Sequence, residues 1–411
     1  MNEDPKQYII EEFKKFKWYY KDDFERWIYI SFNKDSERYA YMGGTGGNYQ
    51  IRTRVIVKQI KIKQNYRKIL RELFFLSCLK NNKYFAEILD VFLSDNNQNN
   101  QNNQNNQNNR SNQNNQNNQN NQSNPNNQNI QNNQRIYIVL REAGVSLNDY
   151  IIFFSKNNYL INFESFRFIV FQIACGLKIL HDKGLLHNDI KPDNIVISGQ
   201  GKTKICDMGN TDKESNLKFA GTNGYFSPQV LMGKEMTKND DMWSLGVIYL
   251  ELFHKTTGMF AVQTNKKIKD AGCEILEYIL KKFYKIKQLD LDWDSVNTNY
   301  QIICNQIKEN NFTEFEYELK SKLLQVDGLN NEDKELITKL LELNPEKRMA
   351  VDDFINSPMF HKYNYKFVNS EIYFKESDYK RYLGNCETFE TFDIYIKEIK
   401  QKIYGLTIFT E

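Results

Sequence analysis

The sequence predicts an α+β fold in two lobes: a small β-rich N-lobe with one helix, then a larger, mainly α-helical C-lobe. Three observations predict it. Before residue 96 the chain is dominated by short runs of β-branched and aromatic residues. After residue 134 the apolar residues recur mainly at helical spacing. And 411 residues with 40% hydrophobic and 14% aromatic content can bury a large core.

In chain order, "RWIYISF", "RYAYM" and "YQIRTRVIVKQI" read as strands. "NYRKILRELFFLSCLK" follows as a helix with Ile69, Leu70, Leu73, Leu76 and Leu79 on one stripe. "AEILDVFLS" and "RIYIVLREA" are two further strands, predicted to pair, and they flank residues 96–134, a run of "NNQ" triplets. That tract is too polar to offset the entropy of ordering itself and is expected to be disordered. A passive insertion at a hairpin tip is favoured over self-association through amide ladders, because such a tip tolerates added length cheaply. "FESFRFIVFQIACGLKILHDKG" places Phe166, Ile169, Ile173, Leu177 and Leu180 at helical spacing, with Gly184 as the expected stop. "TKNDDMWSLGVIYLELFH" and "NNEDKELITKLLELNP" are two more helices, with Thr237 and Asn331 as expected N-caps. Beyond His361 the chain is dense in tyrosine and phenylalanine, and this extension is expected to pack on its own domain rather than recruit a partner.

Composition narrows the partners. Lysine plus arginine total 55 against 52 acidic residues, and a net charge of +3 gives no reason to expect nucleic acid or an anionic membrane. The six cysteines lie scattered without CxxC pairing, which suits reduced thiols in a cytoplasmic or nuclear protein. The start of the chain lacks a signal-peptide core, and no uncharged apolar run approaches about 18 residues.

"HNDIKPDNIVI" at 187–197 concentrates polar side chains between two apolar runs, where a rigid core can present them. "DMG" follows at 207–209, "GTNGYFSPQ" at 221–229, "DMWSLG" at 241–246 and "LNPEKR" at 343–348; "VIVK" supplies Lys58 in the first part of the chain, with Glu72 on the helix after it. In this order the segments resemble the landmarks of the eukaryotic protein kinase family over residues 27–361. The resemblance implies an N-lobe at 27–143, a C-lobe at 144–361, an N-terminal extension at 1–26 and a C-terminal one at 362–411. It also implies transfer of the γ-phosphoryl group of ATP, with Mg2+, to protein substrates.

The same resemblance implies roles for particular side chains. Asp189 would take or orient the acceptor hydroxyl's proton and Lys191 would neutralise the γ-phosphate. Asn194 and Asp207 would hold magnesium, which prefers hard oxygen ligands. Lys58, aimed by Glu72, would hold the α- and β-phosphates. Ile56, Leu140, Arg141, Ala143 and Val196 would surround the nucleotide. Asp241 would anchor the loop backbone, Arg348 would pair with residue 229, His187 would pack behind Met208, and Gly209 and Thr222 complete the structural set. Lys191 and Thr222 match serine/threonine kinases rather than tyrosine kinases.

Several positions depart from the pattern. Lys58 follows Ile51 by seven residues, too few for "YMGGTGGNYQI" to be the phosphate loop at about 3.3 Å per strand residue. The glycines are therefore assigned to a turn between the second and third strands, and the phosphate loop to the glycine-free "NKDSERY", where side chains limit how closely backbone amides approach a phosphate. Ile56 stands where the family usually has alanine. Asn188 replaces an arginine that in many relatives pairs with a phosphorylated loop, which predicts activity without phosphate on Thr211, Ser215 or Thr222. Gln229 replaces glutamate and Met208 replaces phenylalanine. The stretch 259–330 matches poorly. The alternative to an active serine/threonine kinase is a pseudokinase scaffold that holds nucleotide unproductively.

Overall fold

The computed structural model describes residues 28–33, 36–43, 53–62, 66–93, 135–141, 143–157, 162–199, 201–213, 221–231, 233–261, 278–279, 324, 326, 328–363, 372–384 and 386–405. Outside them fall the 1–26 extension, the Asn/Gln tract, the glycine turn at 44–52, Lys34 and Asp35 of the expected phosphate loop, Ser215 and most of 259–330. The described chain forms two compact units, one from 21–80, 87–142 and 374–411, the other including 81–86 and 143–373.

The β-rich unit is built on five antiparallel strands, β1 (Ile28–Asn33), β2 (Ser36–Gly43), β3 (Thr53–Lys61), β4 (Ile88–Leu93) and β5 (Arg135–Arg141), in the order β1-β2-β3-β5-β4. Gly43 closes β2 and pairs with Thr53, so the remaining glycines of the run fall between β2 and β3, as the spacing predicts. Leu93 pairs with Ile136, so the two strands flanking the Asn/Gln tract are neighbours, also as predicted. Helix α1 (Tyr66–Cys78) joins β3 to β4, and its predicted stripe from Ile69 to Leu79 is buried throughout. Burying these five aliphatic side chains outweighs any local preference of this short helix.

In the other unit, β6 (Val145–Ser146), β8 (Ile195–Ile197) and β9 (Thr203–Ile205) form one small sheet in the order β6-β8-β9. β7 (Leu185–Leu186) pairs with β10 (Asp212–Lys213). The rest is helical: α2 (Leu147–Lys156), α3 (Phe163–His181), α4 (Pro228–Leu231), α5 (Lys238–His254), α6 (Asn331–Leu340) and α7 (Val351–Ile355). Phe166, Ile169, Ile173, Leu177 and Leu180 all face inward from α3 and are fully buried.

Two sequence expectations need correction. Helix α3 ends at His181, with Asp182 as its cap, and Gly184 takes its left-handed conformation (φ 67°) three residues later, after the chain has already turned. The cap of α6 is Asn330 rather than Asn331: its Oδ1 accepts from the Asp333 amide at 2.8 Å, and the Asp333 carboxylate returns a bond to the Asn330 amide at 3.2 Å. Either asparagine supplies the right oxygen, and only Asn330 sits three residues ahead of an acid. Asp333 also binds the Arg167 guanidinium through both oxygens (2.9 and 2.5 Å) and the Tyr249 hydroxyl (2.6 Å), which ties α6 to α3 and α5.

After residue 373 the chain adds two helices to the β-rich unit, α8 (Glu376–Gly384) and α9 (Phe389–Gly405), which pack on α1 and β4. The aromatic extension therefore packs on its own chain, and the β-rich unit carries three described helices where the sequence before the tract shows one. Among the described residues no helix is long and apolar enough to cross a membrane.

Candidate functional site

In the helical unit, the polar loop leaves β7 and returns through a short 3₁₀ turn at Pro192–Asn194 into β8. Its backbone hangs on Asp241 in the first turn of α5. One Asp241 oxygen accepts from the His187 amide (2.9 Å) and contacts the His181 ring (2.9 Å); the other accepts from the Asn188 amide (2.9 Å). Burial pushes the Asp241 pKa up, but the bond and charge of His181 and the field of His187 outweigh it, so the carboxyl is held below its ordinary value. His187 is fully buried; its Nε2 lies 3.3 Å from the Cys206 carbonyl, two residues before Met208, and its Nδ1 accepts from the Asp189 amide at 3.3 Å.

Four predicted residues meet in one cluster. Thr222 donates its hydroxyl to Asp189 Oδ1 (2.6 Å), Lys191 Nζ reaches the Thr222 oxygen (2.6 Å) and Asp189 Oδ2 (3.1 Å), and Asn194 Nδ2 donates to the Asp189 carbonyl (2.8 Å) and carboxylate (3.1 Å). These bonds take up the nitrogen end of Asn194 and leave its oxygen as the acceptor end. Across the β8–β9 ladder the Cys206 amide donates to the Asn194 carbonyl at 2.8 Å, which sets Asp207 beside this turn. Asp207 is left-handed (φ 61°, ψ 74°), with one oxygen on the Gly209 amide at 3.3 Å. Asn188 is left-handed too (φ 66°), and its side chain donates to the Asn210 carbonyl at 3.0 Å. Non-glycine residues in this region store strain that is commonly retained at functional sites. A carboxylate and an amide oxygen are the hard donors magnesium takes, with waters and phosphates completing its shell, so Asp207 and Asn194 fit that ion.

In the β-rich unit Lys58 projects from β3 and its ammonium lies 2.7 Å from Glu72 Oε1 on α1; the side chains are 14% and 5% exposed. Ile56 pairs with Leu140 across the β3–β5 ladder. Arg141 is exposed and its guanidinium is engaged by Glu87 at 2.7 Å. Ala143 and Val196, both buried, belong to the helical unit.

Arg348 sits beneath the loop segment. It donates to Gln229 (2.7 Å) and to the carbonyls of Glu342 and Asn239 (2.9 Å each), and its guanidinium lies 5.2 Å from the Trp243 ring centre. Sequence reasoning missed His181, Asp240 and the Tyr225–Glu251 pair. Ser227 donates to Asp240, and the Tyr225 hydroxyl donates to Glu251 at 3.0 Å while the Met259 amide donates to its other oxygen at 2.7 Å. Burial raises the Glu251 pKa to about 7. An acid inside the apolar run "SLGVIYLELF" was the available signal, since such a residue is buried only with partners.

The Lys–Glu pair on the sheet unit and, on the helical unit, the Asp-Lys-Asn loop with the left-handed Asp207 beside it define a chain of the protein kinase class. The comparisons agree. A family model described as "Protein kinase domain" matches residues 48–360, and the chain belongs to that family. It is 32% identical over 144 residues to the serine/threonine-protein kinase dkf-1 of Caenorhabditis elegans, covering 33% of this chain and 19% of the relative. It is 25% identical over 221 residues to the stress-activated protein kinase jnk-1 of the same organism (52% and 45%), and 26% over 245 residues to the serine/threonine-protein kinase prp4 of Schizosaccharomyces pombe (55% and 50%). The matched stretches span at most half the length of these relatives.

Proposed function

We propose that the chain is an ATP-dependent protein serine/threonine kinase. The observation that carries this reading is the Asp189 carboxylate held by Thr222 and Asn194 with Lys191 alongside. Asp189 accepts the proton of the acceptor hydroxyl as its oxygen forms the new bond to the γ-phosphorus, and the bond from that phosphorus to the β–γ bridging oxygen breaks to release ADP. Lys191 offsets charge on the moving phosphoryl group. Lys58, oriented by Glu72, binds the α- and β-phosphates. Asn194 and Asp207 would hold magnesium, which would supply positive charge to the phosphate oxygens. By the family resemblance Ile56, Leu140, Arg141, Ala143 and Val196 would surround the nucleotide, with the Arg141 guanidinium on Glu87.

We assign the catalytic domain to 27–361, ahead of the matched region at its start because β1 and β2 extend the sheet that carries Lys58. The lobe boundary at 143/144, one residue after the 142/143 division between the two units, and the extensions at 1–26 and 362–411 complete the assignment. Cys78, Cys175, Cys206 and Cys386 are buried and form no disulfide, which suits the cytoplasm or nucleus.

The test is phosphoryl transfer by the purified full-length chain to a serine, threonine and tyrosine peptide library with magnesium and ATP. Transfer to serine or threonine that falls by about 100-fold or more in Asp207→Ala is expected. Near-zero transfer by both proteins supports the scaffold alternative instead.

A further inference from the structure

Glu72 reaches Lys58 only while α1 keeps its rotation and height, and within the β-rich unit the C-terminal helices cover α1 along its length. At its start Tyr66 packs on Phe392 with ring centres 5.0 Å apart, and Arg67 reaches the Gly384 carbonyl at 3.4 Å. Toward its end Phe74 lies 5.7 Å from Tyr382, and Phe75 stacks on Phe374 at 6.3 Å. Just past the end, the buried Lys80 ammonium donates to the Ile403 carbonyl, capping the last turn of α9, and Lys400 reaches Asp90 on β4 at 3.1 Å. At 100° per residue Phe74 lies about 200° round α1 from Glu72. The cover thus runs from the side opposite Glu72, at Phe74, round to within about 60° of it, at Phe75.

We propose that α8 and α9 form an intramolecular positioning element for phosphoryl transfer: they fix α1 so that Glu72 stays on Lys58, and the C-terminal segment thereby sets turnover. The inference rests on the kinase function proposed above. Tyr382 and Phe392 act through α1 and are positioning residues.

The experiment uses full-length chains carrying Tyr382→Ala with Phe392→Ala, in the wild-type and Glu72→Gln backgrounds, with Ile394→Ser on the exposed side of α9 as control. Turnover and amide hydrogen exchange are measured together. Turnover is expected to fall by about 10-fold or more, with faster exchange confined to α1, α8, α9 and their strand neighbours, and α5 unaltered. In the Glu72→Gln background the same pair is expected to cost less than about twofold further, because both changes act through one side chain. The control is expected to match wild type. Turnover within about twofold of wild type, or the same fold-loss in both backgrounds, overturns the proposal. Should the double variant also lose protection in α5, Lys80→Met decides the matter on the same readouts. A wild-type chain that transfers no phosphate defeats the kinase reading; an active wild type with unaffected variants defeats only the positioning role.

Discussion

Asp189 is held by a hydroxyl that one substitution removes. Thr222→Val keeps the shape of that side chain and deletes its bonds to Asp189 and Lys191. We expect turnover to fall about 10- to 100-fold with little change in melting temperature, and Thr222→Ser to restore most of it. The same contacts bear on control. Thr211 is fully buried and the Thr222 hydroxyl is committed to the cluster, while Asn188 already ties the loop to Asn210 without any phosphate. Chains treated with phosphatase, and shown by mass spectrometry to carry no loop phosphate, should retain full turnover. Glu251 gives a pH signature. Its pKa rises from 4.5 to about 7 on folding, so between those values the unfolded chain releases a proton that the folded chain keeps, and stability falls as pH rises. Glu251→Gln should flatten that slope in denaturant titrations, an effect on the order of 3 kcal/mol across the window. The charged cluster was legible in the sequence because Asp189, Lys191 and Asn194 sit within six positions of one loop. The Asn188–Asn210 contact was not, because it depends on a left-handed backbone that no spacing reveals.

Among the elements, helix positions and buried faces read directly from apolar periodicity, since α1 and α3 each bury the side chains their spacing selects. Their ends were less legible: Gly184 and Asn331 are good cap residues by type, and geometry chose Asp182 and Asn330. Close packing between elements left a trace in the sequence only as glycine. On α5, a Cβ at Gly246 would meet Leu340 Cβ at 2.8 Å and the Leu341 side chain at 3.0 Å, so α6 could not approach as it does. Gly246→Ala gains helix propensity yet should lose about 1–3 kcal/mol net in chemical unfolding, because overpacking at a helix contact exceeds the gain.

At the scale of the whole molecule, the division into a β-rich and a helical unit was visible in the change of hydrophobic period on either side of the Asn/Gln tract. The destination of the C-terminal aromatics was not, since tyrosine and phenylalanine on short helices fit many surfaces equally well. The β4–β5 pairing predicts that the tract is dispensable for folding. Replacing residues 96–134 with a four-residue turn should leave turnover unchanged and raise unfolding stability by about 2 kcal/mol through a shorter loop closure. The docking of α9 on α1 and β4 also has a consequence for biosynthesis. Ribosomes deliver the N-terminal strands first, at about 5–20 residues per second, so roughly 15 to 60 s pass between the emergence of α1 and that of its aromatic cover. During that interval the nascent polypeptide displays Tyr66 and Phe74 unshielded, an invitation to chaperones.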